Sequence, residues 1–275
     1  MTGARLLIVS DTHLSDEAAP EARANWEAVV AHVEADRPDV VVHLGDLTLD
    51  GSHRDADLTA ARRQLDRLPV EWCAIPGNHD VGDNPYAGQA EGQAIDVHRR
   101  DRWIAEVGPD WWSLDFDGWT LLGVHAQLFS SGLDAAAEQW EWLAERLRTA
   151  KTPVVLLSHK PLVAPVEELA VAPPYRFVPA EMWPRLAPLL SGVALVMSGH
   201  VHQHRTLVHD GVRHEWAPTT WAVLPDADQP IFGAKVCGVL SLDLRPAEAP
   251  DVRLVRPPGL RQLTLRRDVV DPYAH

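Results

Sequence analysis

Four short apolar runs punctuate this chain: LLIVS ending at Ser10, VVVHLG ending at Gly45, VVLLS ending at Ser158 and VALVMSG ending at Gly199. Runs of that length, rich in β-branched residues and closed by turn formers, predict buried strands. Between them the apolar period becomes helical. Pro20 to Asp36 sets Trp26, Val29, Val30 and Val33 on one side, Asp55 to Leu68 repeats the pattern, and Asp134 to Thr149 forms a third amphipathic stretch. Strand and helix in alternation predict a mostly parallel sheet covered by helices. After His202 the pattern changes to the alternating segments HRTLVHDG, VRHEWAP, KVCGVLSLDL and DVRLVRP, with Asp210 and Gly211 as a turn between the first two. These predict a second sheet packed on the first.

The residues that follow the runs are metal-type donors. Asp11 and His13 follow the first, Asp46 the second, His159 the third, and His200 and His202 the fourth; Asn78 and His79 stand in the turn-like IPGNHD. Hard oxygens mixed with imidazoles suit borderline divalent metals, and a carboxylate can bridge two of them. Each block alone has an ordinary explanation. A Gly-Asp pair such as Gly45-Asp46 is commonly a turn, Asp11 could cap the next helix, and His159 could be a satisfied core histidine. His200 and His202, two residues apart beyond a buried strand, have little packing purpose. Five blocks at five strand or turn boundaries imply convergence on one pocket and metal-assisted hydrolysis.

In order, the blocks Asp11-x-His13, Gly45-Asp46, Gly77-Asn78-His79-Asp80, His159 and Gly199-His200-x-His202 resemble the motifs of the calcineurin-like metallophosphoesterases, over about seven tenths of the chain. The runs GDLTLDG and IPGNHD look most similar to the bacterial class III cyclic-nucleotide phosphodiesterase branch. The resemblance implies an α/β fold of four layers, an α-β-β-α sandwich of two mixed sheets flanked by helices, with a dinuclear metal site at the strand ends. It implies that Asp11, His13 and His202 ligate one metal, that Asn78, His159 and His200 ligate the other, and that Asp46 bridges them. Manganese, iron and zinc are the cofactors it implies. A neutral amide at Asn78 withdraws no charge from its metal, which leaves a strong Lewis acid for a phosphoryl oxygen. The resemblance also gives His79 the role of the catalytic acid beside the ligands, with Asp50 and Asp80 as candidate orienting partners.

Three positions depart from relatives. Purple acid phosphatases place a tyrosinate three residues after the bridging Asp, and here that residue is Leu49. GVHAQLF at Gly123 carries His125 and Ala126 where many relatives have a Leu-Asp or Asn-Ser pair, so His125 reads as a core or rim histidine. Lys160 stands where a second His often follows the fourth block, either contacting substrate phosphate or solvated.

Composition narrows the partners. With 275 residues and 46% hydrophobic content the chain is expected to fold as one domain over 1–275. A net charge of -14 argues against long nucleic acid or an anionic membrane surface and leaves a small phosphate ester as the partner, with a homo-oligomer open. Cys73 and Cys237 lie in apolar segments and read as two buried thiols, and with no apolar leader the expected location is cytoplasmic. The Pro-rich stretch from Leu162 to Pro188 reads as an insertion over the site. Among eleven Trp, those at 111, 112, 183, 216 and 221 lie near loops, where a minority could stack on a substrate base. His204, His209 and His214 read as an outer hairpin.

The reading favoured by these residues is a phosphodiesterase acting on cyclic nucleotides or other small diesters. A phosphomonoesterase or nucleotide pyrophosphatase would use the same parts. A non-catalytic metal-binding scaffold, as in the retromer subunit of similar fold, is disfavoured by the intact His79.

Overall fold

The computed structural model describes residues 3–116, 118–163 and 173–269. Of the Pro-rich stretch, 164–172 lies outside the described residues. The first sheet begins with three parallel strands, β1 (Ala4–Val9), β2 (Val40–His43) and β3 (Glu71–Ala74), connected through α1 (Pro20–Asp36) and α2 (Asp55–Leu65). After the short α3 (Asn78–Val81) and α4 (Val97–Glu106), the chain builds the second sheet from β4 (Trp112–Phe116), β5 (Trp119–Val124), β6 (Val154–Ser158) and β7 (Val193–Ser198). Helix α5 (Asp134–Thr149) precedes β6 and α6 (Trp183–Leu190) precedes β7.

The last strands differ from the expectation of a sheet of their own. The hairpin β8 (Arg205–His209) and β9 (Val212–Trp216) extends the second sheet, with β9 parallel to β7. Strands β10 (Val239–Leu244) and β11 (Asp251–Val255) return to the first sheet, where β10 runs antiparallel to β1. The reason is the open edge of β1. With β2 on one side only, its other row of N–H and C=O groups would stay unpaired, and β10 closes it. The expected turn at Asp210 and Gly211 is present, with φ of 49° and 80°, the pair of positive values a two-residue hairpin of this hand requires.

The two-residue period of the strands sorts the core into layers. Leu6 and Ile8 of β1 face Leu121, Val155, Leu157, Leu195 and Met197 of the second sheet and form the core between the sheets. Leu7 and Val9 point the other way, onto Trp26, Val29 and Val33 of α1, Leu58 and Leu65 of α2 and Trp103 of α4. Leu122, Val124, Leu156 and Val196 carry Leu143 of α5 and Leu186 and Leu190 of α6. The result is the four-layer arrangement of two mixed sheets flanked by helices. Both cysteines are free; Cys237 is buried, and half-buried Cys73 has its thiol pushed by burial up to about 12. Among the described residues no helix is long and apolar enough to cross a membrane.

Candidate metal centre

Strands β1, β2, β6 and β7 all run out at one rim, and each is followed within three residues by a donor: Asp11, Asp46, His159 and His200. The chain makes a hard corner at five of the donors. Asp11, His13, Asp46, His200 and His202 have φ between 47° and 68°, left-handed values that cost a non-glycine residue about 1–2 kcal/mol. Strain of this kind persists only where the surroundings over-determine it, and it clusters at functional sites. Here the corners hold one another. Asp11 N donates to Gly45 O and His13 N to Asp46 O, both at 3.1 Å, and Gly199 N donates to His159 O at 2.9 Å. The amide of His200 donates to both carboxylate oxygens of Asp11 at 3.1 Å. Gly45 is demanded by space as well as by its φ of 96°, since a Cβ there would stand 2.6 Å from His159 Nδ1 and 2.8 Å from Gly77 N.

All seven expected ligands are brought together at this rim. The donor atoms of Asp11, His13, Asp46 and His202 lie within 4.8 Å of one another, and so do those of Asp46, His159 and His200. Asp46 belongs to both groups and turns a different oxygen to each: Oδ2 is 3.8 Å from His13 Nε2, and Oδ1 is 3.3 Å from His159 Nε2. Asn78 Oδ1 joins the second group at 3.2 Å from His159 Nε2.

Backbone carbonyls choose the ring nitrogens. A carbonyl only accepts, so the imidazole nitrogen facing it carries the proton and the other presents a lone pair. His159 Nδ1 faces Leu44 O at 2.8 Å and His202 Nδ1 faces Ala222 O at 2.6 Å, which leaves Nε2 of each for the site. His200 is turned the other way: Nε2 faces Tyr175 O at 3.1 Å, and Nδ1 is buried with no partner among the described residues. His202 Nε2 then confronts His13 Nε2 at 3.2 Å and Asp11 Oδ1 at 3.4 Å. Converging lone pairs and carboxylates, with an orphaned imidazole nitrogen among them, fit cations at both positions.

The electrostatics agree. Burial raises the Asp46 carboxyl, but His159 and His79 outweigh it and hold Asp46 well below the usual carboxylate range. Burial lowers the His159 imidazole, yet Asp46 beside it pushes the balance up to about 9. His202 also rises, because Asp11 overcomes its burial. Burial, then neighbouring imidazoles, drive His13 and His200 well below their ordinary value.

His79 lies at the open side of the group, with a quarter of its side chain exposed against 2% for Asp46. Its ring stands edge-on to His13 with centroids 4.7 Å apart, and Nε2 lies 3.9 Å from Asp46 Oδ2. Neither proposed acid orients it. Nδ1 faces Leu49 O at 2.9 Å. Asp50 is taken by His53, and the buried Asp80 carboxylate accepts from the amides of Leu47, Thr48 and Gly77, tying the two loops together. Burial, helped by Asp46, pushes Asp80 up to about 6.

The remaining expectations divide. Lys160 is neither solvated nor free for phosphate: it is fully buried and paired with Asp83. His125 is a core histidine held by Asp110 at 2.9 Å, with Arg100 on the same carboxylate. Among the tryptophans, Trp221 packs on His13 with centroids 4.8 Å apart, while Trp112 donates to Ala74 O. His214 is buried in β9, not on an outer face. One residue passed over is His43, beneath the site. It accepts from Gly45 N at Nδ1 and meets Thr12 Oγ1 at Nε2; a histidine inside the apolar run VVVHLG was the available signal.

The family model for calcineurin-like phosphoesterases matches residues 4–204, all seven donors included. The chain belongs to the calcineurin-like phosphoesterase family. Enzymes of this family bind two divalent metals, and the two donor groups sharing Asp46 supply two adjacent positions. Among curated relatives, a probable cyclic nucleotide phosphodiesterase of Psychrobacter sp. strain PRwf-1 is 25% identical over 72% of this chain and 57% of its own length. A second, from Psychrobacter arcticus, is 24% identical over 78% of this chain and 79% of its own. The chain thus spans little more than half of the first relative. Two solved structures share the phosphoesterase fold. GAP50, the anchor in the inner membrane complex of Plasmodium, superposes with a TM-score of 0.67 at 12% identity, covering 95% of this chain and 87% of that one. A dimetal phosphatase from Danio rerio gives 0.62 at 14% identity over 91% and 95%.

Proposed function

We propose that this chain is a dinuclear-metal phosphodiesterase acting on small diesters, cyclic or other nucleotide diesters foremost. The observation that carries the reading is the place of His79 beside the donors and outside their two groups. Its Nδ1 is fixed by the Leu49 carbonyl, so Nε2 is turned toward Asp46 and toward whatever occupies the rim. Asp11, His13 and His202 would hold one metal, Asn78, His159 and His200 the other, and Asp46 would give one oxygen to each. When bound, the metals supply Lewis acidity that polarises the phosphoryl oxygens and makes water a better nucleophile.

The residues of the chain do the rest. Asp46 and the imidazoles set where the phosphorus sits, and Trp221 packs against the ring of His13. As the bond from phosphorus to the leaving oxygen breaks, His79 in its doubly protonated form gives that oxygen the proton on Nε2 and keeps the one on Nδ1 against the Leu49 carbonyl, the step an alkoxide needs and a phenolate scarcely does. The diester preference is supported by the names of both Psychrobacter relatives. The deciding measurement, on manganese-loaded protein, is kcat/KM for bis-nitrophenyl phosphate against mono-nitrophenyl phosphate, and for cyclic nucleotides against the matching monophosphates. A preference for the monoester in both pairs replaces this reading with a phosphomonoesterase.

A further inference from the structure

Beside the metal centre lies a cleft of about 510 Å³, a volume in the range of small-molecule sites, between residues 84–87 and 173–181. It abuts the centre at two points. Lys160 on its floor follows the donor His159, and Tyr175 in its wall gives His200 the carbonyl that selects its tautomer. The lining is aromatic. Tyr86 and Tyr175 meet with ring centroids 5.4 Å apart and 45° between their planes, and Phe177 continues the surface. Behind Tyr175 the buried Arg176 guanidinium lies 5.8 Å from the ring centroid and braces it.

The polar groups of the cleft favour an organic group over a phosphate. The charge of Lys160 is already matched by Asp83, and Glu181 adds a negative charge to the wall. Asn84 spends both hydrogens of its amide on the carbonyls of Ala126 and Phe129, which leaves Oδ1 buried and without a donor among the described residues. The cleft therefore offers ring faces and hydrogen-bond acceptors. A flat heterocycle carrying an amino group matches both.

We propose that this cleft binds the amino-bearing base of a nucleoside phosphodiester, with Tyr86 and Tyr175 as the stacking surface and Asn84 Oδ1 as an acceptor. The proposal rests on the phosphodiesterase reading for its substrate class, and it assigns the base to tyrosines and not to a tryptophan.

The test compares two diesters with the same leaving group, the p-nitrophenyl ester of adenosine 5′-monophosphate and methyl p-nitrophenyl phosphate, on manganese-loaded protein. In the wild type the adenosine ester is preferred. Tyr86→Ala lowers that preference about tenfold, the range of a lost base–aromatic stack, and Tyr86→Phe restores it. Saturation-transfer NMR with adenosine alone reads the cleft without catalysis: transfer seen in the wild type should weaken in Tyr86→Ala. An unchanged ester preference in Tyr86→Ala, or equal transfer to adenosine in both proteins, overturns the proposal. If both diesters are inert while mono-nitrophenyl phosphate is hydrolysed, the diesterase reading fails, and the adenosine measurement still decides the cleft.

Discussion

His79 Nδ1 lies 2.9 Å from the carbonyl oxygen of Leu49, so the imidazole is aimed by backbone. His79→Ala should lower kcat by about 10²–10⁴ on alkyl diesters and much less on nitrophenyl esters. Metal content by elemental analysis should stay near that of the wild type. Loss of metal in this variant would make His79 a ligand.

Asp46 turns separate oxygens to the two donor groups, and Asn78 sits in one of them. Asp46→Ala should therefore reduce occupancy at both positions, and Asn78→Ala mainly at one, read as metal per chain after passage over a weak chelator. Undiminished occupancy in Asp46→Ala would remove the bridging assignment.

Much of this site was legible because its donors follow apolar runs, and buried parallel strands deliver their ends to one rim. What could not be read depends on partners. The alternation in KVCGVLSLDL marks a strand but not the neighbour it will pair with, so the return of β10 to β1 was invisible. Lys160 reads in sequence as a phosphate contact or a solvated side chain because its counter-ion Asp83 lies 77 residues away. The orientation of His79 leaves no trace, since any residue at position 49 supplies a carbonyl.

Gly45 packs against His159 with no room for a methyl group. Gly45→Ala should cost about 1–3 kcal/mol in denaturant unfolding and weaken the metal position that includes His159, measured by metal titration. Gly92, where an added Cβ meets nothing within 4 Å, shares the positive φ and serves as the control for strain alone.

Lys160 and Asp83 form a buried ion pair. Burial lowers the ammonium and Asp83 counteracts it. Lys160→Met alone should destabilise by about 3–5 kcal/mol, because a carboxylate loses its partner, whereas Lys160→Met with Asp83→Asn should cost clearly less. Equal losses in urea unfolding would show that packing, not charge, sets the penalty.

His214 is buried in β9 with Nε2 unpartnered, and burial lowers its imidazole to about 4. The unfolded chain takes up this proton near pH 6.5, the folded one only near pH 4. Between those values the unfolded state binds more protons, so stability is full above pH 7 and falls as pH drops toward 4, by up to about 3 kcal/mol. His214→Leu should flatten that part of the stability profile. An identical acid dependence in the variant would assign it to other groups, His43 among them.

The left-handed corners at Asp11, His13, Asp46, His200 and His202 bear on any attempt to rebuild this centre elsewhere. Transplanting the seven side chains onto strand ends of another scaffold would reproduce the chemistry on paper and miss the geometry, because ordinary extended backbone points those groups along different vectors. A graft would have to carry the bends with their mutual amide bonds, in effect the whole rim as one part.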